Sequence, residues 1–85
     1  MTVQYSIMME TTDWEDADFQ QFLSGERISF KPTGRVNRTP GGGEDVVYTA
    51  TSKTALEFLL TEYFGGLCNC GDEYTGKCSC IARAA

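Results

Sequence analysis

The sequence predicts an α+β fold: a β-α-β-β-α-β order of elements, with two helices on one face of an antiparallel sheet. Three observations predict it. Two segments alternate apolar and polar residues with period two, residues 2–9 and 27–31, and Val46-Val47-Tyr48-Thr49-Ala50 adds a β-rich run. Two further segments repeat apolar residues at helical spacing, Phe19, Phe22, Leu23 and Leu56, Leu59, Leu60, Tyr63. The elements alternate along the chain in the split-βαβ pattern of ferredoxin-like folds, a superfold that implies no function.

In residues 2–9, Val3, Tyr5, Ile7 and Met9 share one face and Gln4, Ser6 and Met8 the other. Thr12 with Glu15 fits a capping box, predicting a helix start there, with Asp13, Glu15 and Asp16 in its first turn. Gly25 is the expected left-handed residue after this helix. Ile28 and Phe30 point inward from the next strand, and Pro32-Thr33-Gly34 is expected to break it. Residues 32–45 hold both prolines and four glycines and read as a long mobile connection. Thr51-Ser52-Lys53-Thr54 offers several N-caps for the second helix, Thr54 with Glu57 matching a second capping box, and Gly65-Gly66 ends it.

Eighty-five residues make one domain, with a core at 1–66 and a Cys-rich hairpin plus last strand at 67–85. Domains this small often need a staple. All four cysteines fall in the last segment, as Cys68-Asn69-Cys70 and Cys78-Ser79-Cys80. A hairpin centred on Tyr74 would oppose Cys70 to Cys78 and Cys68 to Cys80, with all four sulfurs on one side. Opposed Cβ atoms about 4.5–5.5 Å apart would let four thiolates close on one Zn²⁺. Cross-strand disulfides and buried thiols are the alternatives, and the spacings of iron–sulfur sites are not matched. The start of the chain has neither a positive n-region nor an apolar h-region. This predicts no signal peptide and a cytoplasmic location, where thiols stay reduced and metal ligation is favoured over disulfides.

The net charge is −5. An acidic chain is repelled by nucleic acid and anionic membranes, so its expected targets are basic surfaces. Asp13, Glu15, Asp16 and Asp18 surround Trp14. The plain reading of this cluster is a solvated helix face; the sharper one is a docking patch that imitates phosphates, with Trp14 as its anchor. Lys31, Arg35 and Arg38 read as solvated, and Thr39–Gly43 lacks the lysine of a phosphate-binding loop. Tyr5, Phe30 and Tyr48 suggest a base-stacking sheet, but the RNA-recognition signature is missing and the charge is wrong. With no histidine and no nucleophile motif, enzyme activity is not expected.

Short, acidic and compact, the chain resembles small phage-encoded inhibitors that block host or defence proteins, a likeness of composition that transfers no residue. The resemblance implies a non-enzymatic protein-binding module, of anti-CRISPR type among others, docking on a basic, nucleic-acid-binding protein. The competing reading is a small metal-binding protein in which Cys68, Cys70, Cys78 and Cys80 hold zinc for structure, sensing or storage. A third makes the same thiols a redox switch. Edge strands of a small open sheet can pair between subunits, with Met8 or Tyr48 a candidate lining of such a contact, and the sequence favours neither monomer nor homodimer.

Overall fold

The structure, a computed structural model, describes residues 3–12, 14–38, 42–68, 73–74 and 80–84. The elements are β1 (Gln4–Thr11), α1 (Ala17–Gly25), β2 (Ser29–Val36), β3 (Glu44–Ala50), α2 (Lys53–Tyr63) and β4 (Ala82–Ala84). The four strands form one antiparallel sheet in the order β2-β3-β1-β4. The class is α+β.

Alternation decides which face of the sheet is covered. Ile7, Met9 and Thr11 of β1 are buried, as are Val46, Tyr48 and Ala50 of β3. They meet Phe19 and Leu23 of α1 and Leu56, Leu59 and Leu60 of α2 in a single core. Burying each such side chain stabilises by about 1.5–3 kcal/mol. The other face carries Gln4, Met8, Glu10, Ser29 and Lys31 and is exposed. Tyr48 is completely buried, so it cannot line a subunit contact as expected from the sequence. Tyr5, Phe30 and Tyr48 all belong to the core side. Among the described residues the open face therefore offers no aromatic platform for bases.

The first helix starts later than the sequence expectation, and the second starts at one of the cap residues the sequence offers. The cap of α1 is Asp16, whose carboxylate accepts from the Phe19 N–H at 3.0 Å, not Thr12. The reason lies in β1: Thr11 is still a strand residue, bonded to Tyr48, so the chain must turn through Trp14 and Glu15 before a helix can begin. Trp14 tilts against Phe30 at 6.0 Å, and its carbonyl accepts from Gln20. Ser52 caps α2 by accepting from the Ala55 N–H, which leaves Thr54 inside the first turn.

The end of α1 departs as well. Arg27, not Gly25, takes the left-handed conformation, at φ 58°. The Arg27 N–H donates to Ser24 O and the Ile28 N–H to Leu23 O, with Ile28 and Leu23 both buried. These are the two bonds and the apolar contact of a Schellman motif. The apolar contact holds Arg27 at the left-handed position despite its Cβ.

The expected break at Pro32-Thr33-Gly34 does not occur; β2 runs on to Val36. As an edge strand it tolerates the N–H that proline lacks. Pro32 faces Val46 and Val36 faces Glu44, so three residues of β2 oppose Asp45 alone. Gly34, at φ 83°, supplies this irregularity, and the Thr33 hydroxyl donates to Asp45 O at 2.8 Å in place of a ladder bond.

Among the described residues the C-terminal segment does not pair as a hairpin centred on Tyr74 would. That hairpin would pair Leu67 with Ile81. Instead Leu67 bridges Glu73, and the Tyr74 N–H donates to Gly66 O at 2.7 Å. Gly65 and Gly66, both left-handed, turn the chain sharply after α2. Ile81 is drawn into the core, where its burial outweighs a place in a surface hairpin. Among the described residues no helix is long and apolar enough to cross a membrane.

Candidate functional site

The carboxylates gather at one end of the sheet, where β1 leaves it and β3 enters. The register places Glu10 opposite Asp45 and Thr11 opposite Glu44. Like charges directly opposed on a ladder destabilise it. Two features offset the cost: the Glu10 Oε1 accepts from the Gly43 N–H at 3.2 Å, and Arg35 lines a shallow recess with Glu10 and Asp45. The turn from β1 to α1 then brings Glu15 and Asp16 to the same end.

Gly43 joins the two halves of this end. Its carbonyl accepts from the Asn37 N–H at 2.8 Å, closing the β2–β3 connection, while its Cα lies against the backbone of Thr11 and Thr12. A residue with a Cβ does not fit there.

Two neighbouring clefts open on this acidic end. The first, about 430 Å³, is lined by the aromatic Phe19, Tyr63 and Phe64 and by Glu10, Thr11, Thr12 and Asp16. The second, about 440 Å³, shares Thr11, Thr12 and Asp16 and adds Trp14, Glu15, Val36 and Glu44. Tyr63 is 45 % exposed although its ring sits 4.8 Å from both Phe19 and Phe22. Under the first cleft the Tyr48 hydroxyl meets Thr11 Oγ1 at 2.6 Å. Burial pushes the Tyr48 phenol up to about 12, and the Thr11 hydrogen bond pulls weakly the other way. That phenol is neutral at physiological pH and belongs to the core.

Of the residues expected from the sequence, Glu15, Asp16 and Trp14 line the second cleft. Asp18 is exposed in the first turn of α1. Asp13 lies outside the described residues. Trp14 is half-buried against Phe30, so it presents only part of its ring. Sequence reasoning missed Glu10, Glu44 and Asp45 and the aromatic wall at Tyr63. A signal for the three acids was present: in a β-α-β-β-α-β sheet the end of the first strand meets the start of the third, and Glu10 and Glu44-Asp45 stand at those ends.

Cys68 is buried in the core and Cys80 packs half-buried against that core. Cys70 and Cys78 lie outside the described residues, and with them the four-thiolate arrangement. Among the described residues no three carboxylates or thiols converge as metal ligands would.

No protein-family model, no curated protein and no solved structure matches this chain.

Proposed function

We propose that this chain is a non-enzymatic protein-binding module, an inhibitor-type protein whose acidic end docks on a basic, nucleic-acid-binding partner in the cytoplasm. The observation that carries the reading is the convergence at one end of carboxylates from three separate elements, around clefts with aromatic walls. Clustered negative charge steers a basic partner, and the aromatic surface supplies burial once it arrives. The strand order β2-β3-β1-β4, with a helix after β1 and another after β3, supports a ferredoxin-like split-βαβ scaffold for this surface.

The test compares tagged wild type with a variant carrying Asp13→Asn, Glu15→Gln, Asp16→Asn and Asp18→Asn. Asparagine at 16 keeps the cap of α1, so the fold is preserved. Wild type is expected to capture a basic nucleic-acid-binding protein from cell extract. Toward that purified protein the variant should associate at least ~10-fold more slowly at low salt, with a flatter salt dependence. Equal capture and equal salt dependence would overturn the proposal.

A second reading is favoured by one observation, the shared placement of Cys68 and Cys80 against the core. In it, Cys68, Cys70, Cys78 and Cys80 hold one zinc ion that ties the C-terminal segment to the sheet. Native mass spectrometry under reducing conditions should then show one metal per chain, and chelation should lower the melting temperature. A metal-free mass with an unchanged melting curve sinks this reading.

A further inference from the structure

The larger aromatic surface of the helix layer runs directly into the acidic end. The rings of Phe58, Phe22, Tyr63 and Phe19 follow one another at 4.8–5.5 Å, and Phe58 and Tyr63 remain 42 % and 45 % exposed. Tyr63 also lines the first cleft, together with Asp16. We propose that this cleft receives an arginine side chain of a basic partner protein, its guanidinium stacked on Tyr63 beside the carboxylate of Asp16. The inference rests on the docking function proposed above and assigns the point of contact.

Three features of the cleft select this ligand. Its volume, about 430 Å³, suits an organic group, and among the described residues no ligand set for a metal ion converges. The wall formed by Tyr63 and Phe64 is the last turn and C-cap of α2, the negative end of that helix, which has no basic residue of its own in its last turn. The positive end of α1 is already answered by the Asp16 cap, so it does not repel a cation. A planar guanidinium stacks on an aromatic face and forks toward carboxylates, whereas an ammonium does neither as well. The cleft should therefore prefer arginine to lysine.

The experiment titrates isotope-labelled protein with hexa-arginine and hexa-lysine peptides and follows backbone amide shifts. The expected result is a response centred on Asp16, Tyr63 and Phe64, with hexa-arginine bound about 3–10-fold more tightly than hexa-lysine. Tyr63→Leu should cost about 3-fold in hexa-arginine affinity and erase the preference, while Tyr63→Phe keeps it. Asp16→Asn, which retains the oxygen that caps α1, should weaken both peptides. Amide dispersion verifies that each variant is folded. Equal affinity for the two peptides, binding unaffected by Tyr63→Leu in a folded variant, or no binding of either peptide overturns the arginine cleft. The docking function is judged apart from it, by capture with a variant carrying Asp13→Asn, Glu15→Gln and Asp18→Asn, which leaves Tyr63 and Asp16 intact.

Discussion

Gly43→Ala is expected to destabilise the protein by about 2–3 kcal/mol, the upper part of the range for a side chain forced into a packed site. A Cβ on Gly43 would lie within 3.0 Å of the Thr11 carbonyl group and 2.7 Å from the Thr12 nitrogen. The obstacle is backbone on both counts, so no side-chain rotation relieves it. Either β1 or the β2–β3 connection must move. Movement strains the Asn37 N–H bond to Gly43 O and the Gly43 N–H bond to Glu10. A domain of this length has roughly 4–13 kcal/mol of total stability, so the loss is a large fraction. Thermal unfolding should show a melting temperature lower by about 10–20 °C. Gly25→Ala is the control: its Cβ would meet nothing within 4 Å, and it lies at the end of α1. It should be neutral or slightly stabilising. A Gly43→Ala protein as stable as Gly25→Ala would refute the close approach of the two connections. Because Gly43 also sets the distance between Glu10 and Glu44, the substitution should perturb the acidic clefts with the fold.

The second large effect concerns the buried pair Thr11 and Tyr48. The Thr11 hydroxyl donates to Met9 O at 3.3 Å, which leaves its lone pairs to accept from Tyr48 at 2.6 Å. Thr11→Val keeps the shape and removes the acceptor. The Tyr48 hydroxyl is then buried without a partner, at a cost of about 1–3 kcal/mol. Tyr48→Phe alone leaves Thr11 its bond to Met9 and should cost about 1 kcal/mol. The double variant should cost less than the sum of the two, because no buried donor remains. Urea unfolding of the four proteins measures the coupling, and strict additivity would argue against the bond.

The same pair predicts an alkaline transition. The native phenol titrates at about 12, above the ordinary value of 10.0. Between those values the unfolded chain loses a proton that the native state keeps. The contribution is therefore complete below pH 10 and disappears as pH rises toward 12. A shift of two pH units corresponds to about 2–3 kcal/mol. The stability difference between wild type and Tyr48→Phe should move by that amount across the window, in favour of the phenylalanine protein.

The apolar faces of this fold were legible residue by residue. Ile7 and Met9 alternate with Met8 and Glu10, and Leu56, Leu59 and Leu60 recur at helical spacing; all the apolar members except Met8 are buried. The acidic end was legible only in its contiguous part, Glu15, Asp16 and Asp18. Glu10 and Glu44 join it through a pairing between strands far apart in the chain, which no local pattern expresses. Tyr63 read as one more member of the apolar stripe on α2, and its position at the lip of a cleft depends on where α1 crosses.

By itself the sequence determined the α+β class, the order of its elements and the identity of the core, because period two and period 3.6 are properties of single segments. Tertiary structure decided the start of the first helix, the passage of β2 through Pro32 and Gly34, the bridge from Leu67 to Glu73 and the meeting of Glu10 with Asp45. Each of these is a competition between a locally favourable signal and a distant contact. Thr12 has a good capping pattern, but Thr11 is held in the sheet by Tyr48, so the turn and the cap move on to Asp16. A cap or a turn signal is worth about 1 kcal/mol, and a buried side chain in register is worth more.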